Sequence, residues 1–315
     1  LITRRKLLLS LALPTLLYPA VSAAMAFGLT RTRRLKLHDT PGHVGLEYDE
    51  VTFPSADGRV ELAGWLIPPC SSAGSDRPEG QRWAVLVHGY GAHRGDPQAG
   101  ALGLARDLHR EGFGVLTFDM RGCGTSAGRG SVGYYERYDV LGALDFLAGR
   151  GVDRANIGVI GFSLGGVVAL TACAVDGVAG AVVADSAFSD LWAMVRANAT
   201  GARRPLAPFH PGMDAFARWL YGIDLGQVSP ASSVAASNVP VLIIHGEDDV
   251  MVPVSHARLI SEAATSNGDA SAARRPVEVW TVPGAGHVQS YHTQREEYVR
   301  RVSDFFARTL DRPVP

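Results

Sequence analysis

Apolar and polar positions divide this chain into three regimes. From Leu7 to Leu29 there are 23 residues without a charge, bounded by Arg4-Arg5-Lys6 and by Arg31, Arg33, Arg34 and Lys36. A helix of that length would reach about 34 Å, enough to cross a bilayer. Pro14 and Pro19 would weaken a free helix but are better tolerated in a membrane. Thr3-Arg4-Arg5-Lys6-Leu7-Leu8 resembles a twin-arginine export signal, and Ala24-Met25-Ala26 a signal-peptidase site. Residues 1–36 are therefore expected to act as a membrane anchor or, alternatively, as an export signal. Positive clusters at both ends leave the orientation open.

After Pro41 the pattern changes. Leu46 to Phe53 and Val60 to Ile67 predict two strands, joined through the turn Ser55-Ala56-Asp57-Gly58 as an antiparallel hairpin. Ser71 to Arg82 is polar and reads as a surface loop. Short apolar runs then alternate with helical stretches. The strands are expected at Ala84–Val87, Gly114–Phe118, Asn156–Ile160, Ala179–Ala184, Val241–Ile244 and Val277–Val282. Helices are expected at Gln98–Arg110, at Tyr138–Ala148, from Leu164 onward and at Arg295–Leu310. Uninterrupted apolar strands between helices predict an α/β domain over residues 40–315, with a mostly parallel twisted sheet covered on both faces. Ligands of such a sheet bind beyond the carboxyl ends of its strands.

The third regime, residues 188–238, breaks this rhythm. It carries Trp192, Phe209, Phe216, Trp219 and Tyr221 amid prolines. Fifty residues exceed a plain loop, so a small helical cap is expected there.

Composition changes this picture little. The 315 residues are 46% apolar and 19% charged, with a formal net charge of −1, so no bulk electrostatic attraction favours a nucleic-acid partner. Cys70, Cys123 and Cys173 lack both CxxC spacing and an even count, which excludes a disulfide framework and a zinc site. No HExxH or comparable spacing implies a metal, and no cofactor is called for.

The chemistry sits just after the strands. In Gly161-Phe162-Ser163-Leu164-Gly165, a serine lies between an apolar strand and a helix, where flanking glycines permit a sharp turn that presents its hydroxyl. The Leu164 N–H then lies at a helix N-terminus, suited to an oxyanion. His88-Gly89-Tyr90-Gly91 follows another strand, and the Tyr90 N–H is the expected second donor. His245-Gly246-Glu247-Asp248-Asp249 offers several acids, of which Asp249 is the expected partner of a histidine. Asp185 is the alternative acid, with Ser186 as a site-wall residue. His287, in Pro283-Gly284-Ala285-Gly286-His287, follows the last expected strand, after both the serine and the acid, in the order Ser…Asp…His. Asp119-Met120-Arg121-Gly122-Cys123-Gly124 contains a Gly-x-Gly, but Gly128, Gly130 and Gly133 delay the next helix, which argues against a dinucleotide loop. Asp119 and Arg121 are expected instead to brace this loop.

With these motifs in order, the chain from about Thr40 onward resembles bacterial α/β-hydrolases of the Bem46-type and acylaminoacyl-peptidase-like groups. The likeness rests on Asp57-Gly58 with Gly64-Trp65-Leu66, His88-Gly89, Asp119-x-Arg121-Gly122-x-Gly124-x-Ser126, Gly161-x-Ser163-x-Gly165-Gly166, His245-Gly246-x-x-Asp249-x-x-Val252-Pro253 and Gly286-His287. It implies an α/β-hydrolase fold, a Ser163–His287–Asp249 triad and hydrolysis of small esters or peptides; many members carry an N-terminal membrane segment. Ester cleavage by an acyl-enzyme route is the expectation. A small-peptide or acylaminoacyl peptidase is the alternative, and a non-catalytic membrane-associated scaffold is a third reading.

Overall fold

The computed structural model describes residues 4–32, 34–70, 81–175, 177–197, 201–266 and 276–310, with the side chains of 4–15 and 201–203 outside that description. Most of the polar loop read at 71–82 lies outside the described residues, as do the side chains of the export-signal motif. The chain opens with helix α1 (Arg4–Leu29), followed by the hairpin β1 (Asp49–Pro54) and β2 (Glu61–Ile67). Alternation then begins with β3 (Trp83–Val87), α2 (Ala101–Arg110), β4 (Gly114–Phe118), α3 (Arg137–Ala148), β5 (Ile157–Phe162), α4 (Leu164–Ala172) and β6 (Ala181–Asp185). After β6 come α5 (Leu191–Ala197), α6 (His210–Tyr221) and α7 (Pro230–Ala235), with 3-10 turns between them. The chain finishes with β7 (Val241–Gly246), α8 (Ser255–Ser266), β8 (Val277–Val282), the short α9 (Ser290–Thr293) and α10 (Arg295–Thr309).

Among the described residues the strands form one eight-stranded sheet in the order β1-β2-β4-β3-β5-β6-β7-β8. The β1–β2 and β2–β4 pairs are antiparallel, and every later pair is parallel. Every residue of β3, β4, β5, β6 and β7 is buried, because helices cover both faces and a two-faced strand must be apolar throughout. One face packs Val85, Leu116, Val159, Val182 and Ile243 under α3, α4 and α8. The other packs Leu86, Val115, Ile160, Val183 and Leu242 against Phe305 and Phe306 of α10 and Leu104 of α2. The amphipathic α8 links β7 to β8 and supports the parallel crossover between them.

The N-terminal segment is not detached from the hydrolase fold, although the sequence suggests a domain that starts near residue 40. Ser22, Ala26 and Thr30 are wholly or almost wholly buried, and their spacing of four puts them on one helix face. That face packs on α6, with Tyr18 stacked 5.3 Å from Phe209. Gly212 permits the close approach, since a Cβ there would meet Ser22 Oγ at 2.3 Å. Beyond the helix, Thr32 Oγ1 donates to the Gly122 carbonyl at 2.9 Å, and the Tyr90 hydroxyl donates to the Leu29 carbonyl at 3.3 Å. Among the described residues no helix is long and apolar enough to cross a membrane.

Candidate active site

Strands β3, β5, β6, β7 and β8 all deliver a loop to the same edge of the sheet. The tightest of these is the turn from β5 into α4. Ser163 sits there with φ 52° and ψ −117°, a conformation rare for a residue with a Cβ and one that stores strain. The glycines around it are demanded by contact. A Cβ on Gly161 would lie 2.3 Å from the Gly165 carbonyl oxygen, and one on Gly165 would lie 2.1 Å from the Val87 oxygen. The first turn of α4 is thus pressed against the end of β3, and the serine is forced outward over the sheet edge.

His287 and Asp249 meet Ser163 there. His287 Nε2 lies 2.9 Å from Ser163 Oγ, and its Nδ1 lies 2.8 Å from Asp249 Oδ2. The remaining Asp249 oxygen, Oδ1, accepts the Met251 N–H at 2.9 Å and the Val252 N–H at 2.8 Å. Burial by itself would raise the Asp249 pKa, but hydrogen bonds from His245, His287 and the Val252 N–H outweigh it and hold the carboxylate well below its usual range. The acid loop and the histidine loop can lie this close because residue 246 is glycine: a Cβ there would meet the Ala285 oxygen at 2.2 Å. Gly286, beside the histidine, has open space by contrast, with nothing nearer than Gln289 Cγ at 3.9 Å.

The two expected oxyanion donors are the backbone N–H groups of Tyr90 and Leu164. Neither N–H has a protein acceptor among the described residues. Gly89 abuts the serine, its Cβ direction ending 3.5 Å from Ser163 Cβ. His88 is buried, and that burial lowers its pKa, leaving a neutral ring. Its Nδ1–H donates to the Gly89 carbonyl at 2.7 Å, while Nε2 accepts the Met120 N–H at 3.0 Å. Holding the Gly89 carbonyl fixes the whole Gly89–Tyr90 peptide plane, and with it the direction of the Tyr90 N–H. From sequence, His88 reads only as part of a glycine turn, because its distant partner, the Met120 N–H, is set by strand register.

Asp119 and Arg121 do brace the following loop, though with partners the sequence does not advertise. Asp119 binds Arg94, through its backbone N–H and its guanidinium at 2.7 Å each, and the Thr125 N–H. Arg121 turns instead to Asp139 and Asp57. Asp185 is kept out of the triad: it faces Ser186 and Ser290, not the ring of His287. Glu247 binds Thr281, at the rim. Burial pushes the Cys123 thiol up to about 11 and the Cys173 thiol up to about 12, so neither ionises near neutrality. No group of three or more His, Cys, Asp or Glu among the described residues could hold a metal ion.

The sequence profile of the prolyl oligopeptidase family matches residues 105–312, a span that contains the elbow, the acid and the histidine. The chain belongs to this family. Among its relatives, the uncharacterized protein YqkD of Bacillus subtilis is 31% identical over 62% of this chain and 62% of its own length. The lysophosphatidylserine lipase ABHD12 of Gallus gallus is 27% identical over 81% of this chain and 70% of its own. The esterase Pf2001 of Pyrococcus furiosus superposes with a TM-score of 0.69 at 25% identity, covering 89% of this chain and 99% of that one. The family and the fold shared with its neighbours make this chain an α/β-hydrolase.

Proposed function

We propose that the chain is a carboxylic ester hydrolase using Ser163 as nucleophile, His287 as general base and Asp249 as its orienting acid. The observation that carries this is the continuous hydrogen-bonded relay from Ser163 Oγ through His287 to Asp249 Oδ2, set beside two N–H donors without acceptors. His287 takes the serine proton as Oγ attacks the carbonyl carbon. The oxyanion is met by the Tyr90 and Leu164 N–H groups, and His287 returns the proton to the departing alcohol. Water activated by the same ring then releases the acid. The ester reading draws on the esterase and lipase among the relatives; the family description favours peptide cleavage as the second reading.

Fluorophosphonate labelling tests the nucleophile. Wild type should label, and Ser163→Ala should lose the label while keeping its thermal melting point. A folded wild type that fails to label would leave a non-catalytic scaffold as the better account. A panel of p-nitrophenyl esters against aminoacyl-p-nitroanilides separates the two enzymatic readings, and faster anilide turnover would overturn the ester one.

The N-terminal segment is proposed to hold this hydrolase at a membrane, or to have directed its export. The uncharged run of residues 7–29 between basic clusters supports this, as do the exposed Leu16, Leu17 and Phe27 of α1. Fractionation of the full chain checks it: recovery in the pellet after a high-salt wash is expected, and complete release by salt would count against it.

A further inference from the structure

Beneath the triad, residues 185 and 186 touch every loop that carries a member of it. The Asp185 carbonyl accepts the Ser163 N–H at 2.8 Å, and the Ser186 N–H donates to the Ile244 carbonyl at 2.9 Å, on the strand that leads to Asp249. Ser186 Oγ accepts the Val288 N–H at 3.1 Å. Its own proton goes to Asp185 Oδ1 at 2.9 Å, and Ser290 Oγ donates to the same oxygen at 3.1 Å. Both residues are fully buried.

Two backbone outliers mark the same spot. Ser186 has φ 58° and Val288 has φ 51°. For a β-branched valine this is strained, and such strain persists only where surrounding contacts over-determine it. The Val288 N–H belongs to the His287–Val288 peptide, so the Ser186 hydroxyl grips the backbone from which the imidazole hangs.

We propose that Asp185 and Ser186 form a positioning pair, in which the Ser186 hydroxyl fixes the His287–Val288 peptide and Asp185 fixes that hydroxyl. The pair rests on the reading of Ser163 and His287 given above and assigns these residues no contact with substrate. Asp185 performs this in either charge state. Its second oxygen, Oδ2, has no hydrogen-bond partner among the described residues, so a proton there leaves Oδ1 free to accept. Burial raises this carboxyl to about 6, against the opposing pull of Ser186, His245, Ser290 and His287. The buried phenol of Tyr298 on α10 also lies in its field. Neutral or ionised, Oδ1 orients the serine hydroxyl so that a lone pair meets Val288.

The consequence is alignment of the imidazole. A displacement of about 1 Å in such a site can cost as much as ~100-fold in rate. Ser186→Gly is the informative variant, because glycine accepts the positive φ without strain and removes the hydroxymethyl group that carries the hydrogen bonds. It should stay folded, melting somewhat below wild type for the buried Val288 N–H left unpaired, yet show kcat lowered by roughly 10- to 100-fold with KM nearly unchanged and fluorophosphonate labelling slowed in proportion. Asp185→Asn keeps an oxygen at the Oδ1 position and should retain most of the rate. A Ser186→Gly enzyme that labels at the wild-type rate, or whose defect lies in KM alone, overturns the pair. So does an Asp185→Asn enzyme as impaired as Ser186→Gly. Wild type that does not label at all would instead fault the reading of Ser163 as nucleophile.

Discussion

Asp249→Asn is expected to lower kcat on a p-nitrophenyl ester by about 10,000-fold, with KM little changed. Size is nearly conserved, so the loss comes from which proton sits where. Asp249 Oδ1 accepts two backbone N–H groups, from Met251 and Val252. An asparagine must turn its carbonyl oxygen toward them, because its amide nitrogen would set donor against donor. The NH2 group then occupies the Oδ2 position and points at His287 Nδ1. That nitrogen can face a donor only as an acceptor, which moves the ring proton to Nε2, where the ring must accept from Ser163. The base is therefore blocked by tautomer while its position is kept. A rate within tenfold of wild type would show that another group, with Asp185 the nearest candidate, orients the ring.

The same variant carries a pH signature in stability. The Asp249 carboxylate is held below its ordinary value of 3.8, so its contribution is present above that value and is lost as pH falls through the lower, folded one. Asp249→Asn should melt below wild type at pH 7, and the gap should close as the pH is taken well below 4. A gap that widens on acidification would mean that the hydrogen bonds on Asp249 do not favour its charged form.

Gly165→Ala is expected to cost at least about 3 kcal/mol, by the overpacking of a site that cannot yield. The new methyl would stand 2.1 Å from the Val87 oxygen and 2.5 Å from the His88 oxygen. Both are backbone atoms at the end of a central strand, not flexible side-chain tips. Relief requires lifting α4 from the sheet, which would displace Ser163 and the Leu164 N–H together. A melting temperature lower by roughly 10 °C and loss of fluorophosphonate labelling are the expected readings. Gly286→Ala is the control, since its methyl enters open space, and it should melt with wild type. Equal melting of Gly165→Ala and Gly286→Ala would refute the close-approach account of the elbow.

How far the sequence foretells this site depends on how local each interaction is. The strands were readable because burial on both faces leaves uninterrupted runs such as Val241–Ile244, and the order Ser163, Asp249, His287 is a property of the chain itself. Gly161 and Gly165 were readable as a turn, although the carbonyl that excludes a side chain at 165 belongs to another strand. Contacts set by strand register were not readable. Arg94, 25 residues before Asp119, is that acid's partner, and nothing in either segment announces it. Gly246 and Gly286 look alike in their motifs, while only Gly246 is held by a backbone close approach. Asp185 could be seen as an acid at the sheet edge, but its alternation within β6 turns the side chain toward Ser290 on the α10 side. The run at 7–29 reads as a segment separate from the enzyme because lack of charge suits lipid and protein alike, and the packing of Ser22 and Ala26 against α6 is set by contacts the sequence does not announce.

The wide spacing of the relay along the chain bears on biosynthesis. Ser163 and His287 are separated by 124 positions and Asp249 and His287 by 38, and the histidine hangs from the loop after β8, which pairs with β7 alone. As the nascent chain leaves the ribosome, the strained elbow can be shaped once β3, β5 and β6 have assembled, well before the base exists. On the proposed reading, a chain that stops before β8 holds the Ser163 hydroxyl without the base that would activate it, and should not label with a fluorophosphonate.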